Sequence, residues 1–236
     1  MPSSMHFELK EVAEGVYAAI GTADGAAYSN AGIVDLGDQT LVFDTFQTPQ
    51  AAQDLKDAAE ALTGRPVSYV VISHHHADHW CGNQVFEPQV PILATRISRE
   101  RMPPSAGWLQ ELQTDPALLE QEIEGTRERL ESETDLRWRD SLELSIKRMG
   151  RLQEVLPTME FRYPNLTFEK RLAFEGTRRR TELHVVEPGH TDSDAYLLLP
   201  EERVLFMGDL GFFGSQPFMA LCDPAAWREW LKEAED

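Results

Sequence analysis

The chain has 236 residues, 42% of them hydrophobic, and a formal charge of −18. That hydrophobic share is the share of a packed core rather than of a disordered chain, and the acidic surplus opposes binding to a nucleic-acid backbone. Two cysteines give no disulfide framework, the first residues have no signal-peptide character, and no stretch is apolar for long enough to span a bilayer, so a soluble cytoplasmic protein is expected, with neither nucleic acid nor membrane as partner.

Residues 16–21 read as a first strand. Residues 30–36 and 40–44 read as a hairpin across Gly37-Asp38-Gln39, whose glycine can take a positive φ. Its second arm ends in Asp44, which suits either the cap of the helix that follows or a brace for residues nearby. Ala51, Leu55, Ala58, Ala59 and Leu62 share one face of a helix over 49–62, and Thr63-Gly64-Arg65-Pro66 stops it. Residues 66–72 are β-branched and aromatic, a short buried strand.

At the carboxyl end of that strand stands Ser73-His74-His75-His76-Ala77-Asp78-His79-Trp80. Imidazole and carboxylate are the usual ligands of zinc and similar ions. His74 and His76 are two apart, so in extended backbone they point the same way. Asp78 and His79 follow in a turn or first helical turn, so one loop can serve two adjacent ions, His74 and His76 for the first and Asp78 and His79 for the second.

A strand over 90–95 comes next. Residues 96–156 read as long polar helices interrupted at Met102-Pro103-Pro104-Ser105, a helical hairpin packed on the surface, a wall or lid over the histidine loop, or a dimer interface. Strands resume over 166–168, 172–174 and 181–186, with Arg178-Arg179-Arg180 read as solvated charge at a turn. A Pro188-Gly189 turn then places His190 at a sheet edge, where it can supply the third imidazole that a zinc site needs. A hairpin of 195–200 and 203–207 ends in Gly208-Asp209. The last element is a helix capped by Asp223, with Pro224 at its first position and Trp227, Trp230 and Leu231 on one face. Cys81 and Cys222 read as buried inert thiols.

His74-x-His76-x-Asp78-His79, followed in order by Gly189-His190-Thr191 and Gly208-Asp209, resembles the signature of the metallo-β-lactamase-fold hydrolases, which include the glyoxalase II thioesterases. The resemblance implies an α/β fold of the αββα sandwich type, one domain over 1–236 with a helical insertion at about 96–156. It implies His74, His76, His190 and Asp209 on a first ion, Asp78, His79 and a bridging Asp209 on a second, catalytic roles for Asp78 and Asp209, and a bracing role for Asp44. One or two zinc ions are expected, and iron or manganese suits the same donors. The implied reaction is hydrolysis of an ester, thioester, lactone or lactam bond in a small molecule by a metal-activated hydroxide. The alternatives are an iron-dependent redox member such as a persulfide dioxygenase, or a non-catalytic binding or scaffold protein with a partial site; either a monomer or a homodimer is compatible. The sequence departs from the family at its end. No histidine follows His190, where the family has a further strand and one more histidine turn. The expectation is a chain incomplete at the C-terminus, since Trp227 and Trp230 would otherwise need another surface to cover them. The alternatives are a natural short form whose second site is weak or empty, or a neighbouring chain that supplies the missing ligand and strand.

Overall fold

The computed structural model describes residues 1–212 and 224–235. Among these residues the first sheet holds seven strands in chain order, β1 (Phe7–Ala13), β2 (Val16–Gly21), β3 (Ala31–Asp35), β4 (Thr40–Phe43), β5 (Tyr69–Val71), β6 (Ile92–Thr95) and β7 (Leu166–Phe168). The pairs from β1 to β4 are antiparallel and those from β4 to β7 are parallel. Parallel neighbours need long crossovers. These contain α1 (Pro49–Thr63) after β4, the short α2 (Ala77–Trp80) after β5, and α3 (Arg96–Thr114), α4 (Ala117–Ser132) and α5 (Leu136–Val155) after β6. The second sheet is antiparallel, made of β8 (Arg171–Glu175), β9 (Arg180–Val186), β10 (Asp194–Leu199) and β11 (Val204–Phe206) in the order β11-β10-β9-β8. The last helix is α6 (Pro224–Glu235).

Alternation along the strands sorts the core into layers. Ile33, Val42, Val70 and Ile92 face α1 and α3, whereas Val34, Leu41, Phe43, Val71 and Leu93 meet Leu183, Ala195 and Leu197 between the sheets. Trp227 and Trp230 of α6 pack with Tyr196 and Val186 on the outer face of the second sheet. The result is the expected helix–sheet–sheet–helix sandwich. It also supplies, within the chain, the cover that the two tryptophans were expected to lack.

The hairpin turns at Gly37 (φ +102°), and α1 ends on Gly64 in the left-handed conformation. Several expectations are corrected. The strand β1 was not anticipated, because Phe-Glu-Leu-Lys-Glu-Val-Ala mixes charge with apolar residues; it is an edge strand that buries only Phe7 fully. The strand expected over 66–72 is confined to Tyr69–Val71. Three helices, not a hairpin, occupy the long crossover, and α3 runs unbroken through Pro103 and Pro104. Both prolines are solvent-facing, as are Arg99 and Glu100, whose carbonyls lose their helical donors to them. Water can satisfy those carbonyls while Met102, Ala106, Leu109 and Leu112 bury the opposite face. Finally, Arg179 is buried rather than solvated; it pairs with Glu202 at 3.0 Å and donates to the Glu14 carbonyl. The Asp223 cap and Cys222 lie outside the described residues.

Candidate metal centre

The histidine loop leaves the carboxyl end of β5, an interior strand of the larger sheet. His76 takes extended backbone and caps α2, so the chain turns from strand to helix within the motif. Asp78 and His79 therefore fall one helical step from a point that His74 and His76 reach from extended chain.

Four of the predicted residues converge. Ligand-type atoms of His74, His76, His190 and Asp209 all lie within 4.8 Å of one another. His76 Nδ1 is 3.0 Å from His74 Nε2 and 3.0 Å from His190 Nε2. His190 Nε2 is 3.5 Å from Asp209 Oδ2. A tetrahedral ion with bonds of 2.0–2.1 Å holds its donors roughly 3.3 Å apart, so this spacing fits a shared cation. Burial pushes the His74 imidazole well below its ordinary pKa, and the charges of His79, His76 and His190 lower it further. Burial, then His190, brings His76 down to about 4. Neutral rings with facing lone pairs are the state a metal requires.

Asp78 and His79 form the adjoining group. His79 Nε2 is 3.6 Å from Asp78 Oδ2 and 3.3 Å from Asp209 Oδ1. The two oxygens of Asp209 thus face the two groups separately, one toward His190 and one toward His79. His79 Nε2 is buried and makes no hydrogen bond of acceptable geometry. Burial lowers the His79 pKa, but the Asp78 and Asp44 carboxylates outweigh it and hold the ring well above its ordinary value. Asp78 is raised by burial, which the His79 charge offsets only in part. A cluster of carboxylates that holds a proton this firmly is a place where a cation is favoured.

The geometry settles the two roles left open for Asp44. The cap of α1 is Thr48, whose side chain accepts from Ala51 N. Asp44 lies fully buried in left-handed backbone (φ +61°) and accepts from Ser73 N at 2.7 Å, Ser73 Oγ at 2.8 Å and His79 Nδ1 at 2.7 Å. Ser73 Oγ has its one proton on Asp44, so it accepts from His74 Nδ1 at 3.0 Å. Nδ1 of each ring is thereby committed and Nε2 turned to the cluster, the usual service of groups behind metal ligands. Ser73 was not anticipated, since a serine between strand and motif carries no spacing signal. Ser29 was missed for the same reason; its hydroxyl donates to the Asp78 carbonyl at 2.5 Å. Cys81 is buried and its thiol pKa is pushed up by burial, as expected of an inert packed thiol.

Beside Asp78, His79 and Asp209 opens a cavity of about 680 Å³. Ala18, Ile20, Phe43, Phe206, Met207 and Phe212 give it apolar walls, and Tyr28 and Arg148 line it as well. Arg148 belongs to α5, so the long helical crossover reaches the cavity.

A family model described as the metallo-beta-lactamase superfamily matches residues 24–236. No curated protein sequence matches the chain at a comparable level. Among solved structures, a metallo-beta-lactamase from Pontibacter korlensis is similar, with a TM-score of 0.62 at 15% identity over 98% of this chain and 87% of that one. The metallo-beta-lactamase FIM-1 from Pseudomonas aeruginosa in its mono-zinc form has a TM-score of 0.59 at 17% identity, over 96% and 80%. One from Erythrobacter litoralis, with beta-mercaptoethanol in its active site, has a TM-score of 0.59 at 16% identity, over 98% and 84%.

Proposed function

The chain belongs to the metallo-β-lactamase superfamily, and from that premise we propose that it is a metal-dependent hydrolase of a small molecule carrying an ester, thioester, lactone or lactam bond. The observation that carries this reading is the set of four donors, three imidazole nitrogens and a carboxylate, within 4.8 Å of one another. His74, His76, His190 and Asp209 would hold one divalent ion. Asp78, His79 and the second oxygen of Asp209 would hold another, and the unsatisfied buried Nε2 of His79 supports that second position. Zinc is the ion we propose, with iron and manganese accommodated by the same donors. When bound, such ions supply Lewis acidity, bringing the pKa of a water from about 15.7 to about 7 and polarising the bond under attack.

The remaining work falls to the chain itself. Asp44 and Ser73 keep the His79 and His74 rings in one tautomer and one orientation. Asp78 lines the cavity; it can accept the proton released by the attacking water at a carboxylate oxygen and return it to the leaving group. Phe43, Phe206 and Phe212 line the same space and offer apolar contact to a substrate. Among the described residues no helix is long and apolar enough to cross a membrane.

The test is metal content together with turnover. Protein purified without added metal is assayed by plasma mass spectrometry, then with p-nitrophenyl esters, an aryl thioester and a chromogenic lactam. We expect one or two ions per chain and turnover of at least one substrate class, with Asp209→Ala losing both bound metal and activity. If Asp209→Ala kept both, its place between two ions would be wrong, and a metal-free wild type that zinc, iron or manganese cannot load would overturn the hydrolase reading.

A further inference from the structure

The cavity beside the metal centre has a cation on its wall that the hydrolysis chemistry does not use. Among the described lining residues Arg148 is the only arginine or lysine. Its neighbours on α5 are committed elsewhere or lie off the cavity, with Lys147 paired to Asp24 at 2.9 Å. No carboxylate pairs with Arg148 among the described residues, although the chain carries 40 acidic side chains against 22 basic ones.

Arg148 is also held in place. Its guanidinium lies over the Tyr28 ring, 5.5 Å from the centroid, and the Tyr28 hydroxyl donates to the Arg148 carbonyl. Tyr28 takes left-handed backbone, φ +72°, a conformation that a bulky residue adopts only when its surroundings impose it. The next residue, Ser29, donates to the Asp78 carbonyl at 2.5 Å. One loop between β2 and β3 therefore grips the metal loop and the helical crossover at once, and sets the Arg148 side chain on the same cavity as Asp78, His79 and Asp209. A stacked guanidinium with no carboxylate partner among the described residues can offer its donor edge to a carboxylate or phosphate oxygen pair. Val12, Ile20 and Phe212 line the same cavity and add apolar wall alongside its polar groups.

We propose that Arg148 is the substrate-anion anchor of this cavity, and that the substrate class is an apolar acyl compound carrying a carboxylate away from the bond that is cleaved. The reacting-bond half of this statement rests on the hydrolase reading above; the anion half does not. The three carboxylates of the site are engaged with Ser73, with histidines or with the ion positions, so they leave Arg148 free for the substrate.

The experiment compares zinc-loaded wild type with Arg148→Met, which keeps an apolar stem over Tyr28, and with Arg148→Lys, which keeps the charge. Butyrate, succinate, glutarate and adipate are titrated calorimetrically, the chain lengths spanning the cavity, and the corresponding p-nitrophenyl butyrate and mono-p-nitrophenyl hemi-esters are assayed. Wild type should bind at least one dicarboxylate about tenfold or more tightly than butyrate, the usual scale of one charge-assisted contact. That ratio should collapse in Arg148→Met and persist in part in Arg148→Lys, with the loss for the matching hemi-ester appearing in KM. A wild type with no preference for dicarboxylates, or an Arg148→Met variant that keeps the preference, overturns the proposal. Should Arg148→Met fail to fold, Arg148→Lys decides: an undiminished preference sinks the fitted-fork geometry, a reduced one supports it. An Arg148-dependent preference without turnover of any ester upholds the anchor and removes the hydrolase reading; turnover with no preference does the reverse.

Discussion

Asp44 organises the centre without reaching the ion position itself. Three donors converge on its carboxylate, the Ser73 amide, the Ser73 hydroxyl and the His79 ring, at 2.7, 2.8 and 2.7 Å. Removing a buried acceptor leaves those donors dry and unpaired. Asp44→Ala should therefore cost about 3 kcal/mol of stability and weaken metal binding by about 10–100-fold, because the His74 and His79 tautomers are no longer fixed. Asp44→Asn, which tolerates the left-handed backbone and keeps one acceptor, should fall between. Thermal melts and a chelator competition separate the effects; a large loss of melting temperature with unchanged metal affinity would make Asp44 a structural residue only. This residue also shows where sequence reasoning stops. An aspartate ending an apolar strand suits a cap or a brace equally, and only the position of Thr48 at the start of α1 decides between them. The clustered histidines were legible because their chemistry and order carry the signal. Ser73, Ser29, Tyr28 and Arg148 were not, because each acts through a contact made by distant chain.

The centre is assembled from the ends of strands in two different sheets, so the elements must approach closely. His74, His76, Asp78 and His79 come from the end of β5, His190 from the turn after β9, and Asp209 from the turn after β11. Gly208 makes the last approach possible. Its φ is +54°, and a Cβ there would stand 2.6 Å from both Cβ and Oγ of Ser73. Gly208→Ala should push the Asp209 turn away from the metal loop, lowering metal stoichiometry or affinity more than global stability, for which a strained backbone residue costs on the order of 1–3 kcal/mol. Plasma mass spectrometry beside a denaturant melt checks this; loss of stability with full metal retention would mean the loop yields rather than the turn. The strands of both sheets were readable from apolar runs bounded by glycine and proline. The edge strand β1 was not, since its charged positions face solvent and break the run. Nor was the continuity of α3, where burial of one helix face outweighs two prolines on the other. Helical periodicity left several readings open for the crossover, and what it could not give is that Arg148 of α5 lines the cavity.

At the scale of the whole molecule the charge of −18 and the buried carboxylates make stability depend on pH and on cations together. Asp194 gives the clearest case. It is 1% exposed, accepts from the Thr191 amide and hydroxyl, and its other oxygen is buried without a hydrogen bond. Burial raises its pKa from 3.8 to about 7, against the opposing pull of Thr191. Folding thus favours the protonated form, so its contribution is complete below 3.8, declines as pH rises, and is gone once pH passes about 7. Asp209 works in the other sense: burial would raise it, but His79 and His190 hold it low, so what it contributes is lost on acidification. A variant is needed to isolate one carboxyl from the other. In protein stripped of metal by a chelator, Asp194→Asn mimics the protonated group and keeps an oxygen for Thr191. Relative to wild type it should gain stability between pH 4 and 7, on the order of 1.4 kcal/mol per pH unit, and hold that gain at higher pH. In melts of a chain this size, each kcal/mol is about 2–4 °C. Loading zinc should shrink the gain, since a nearby divalent charge stabilises the ionised carboxylate and stabilises the folded chain by mass action. A difference between wild type and Asp194→Asn that does not vary with pH would show that this carboxyl is ionised throughout the range.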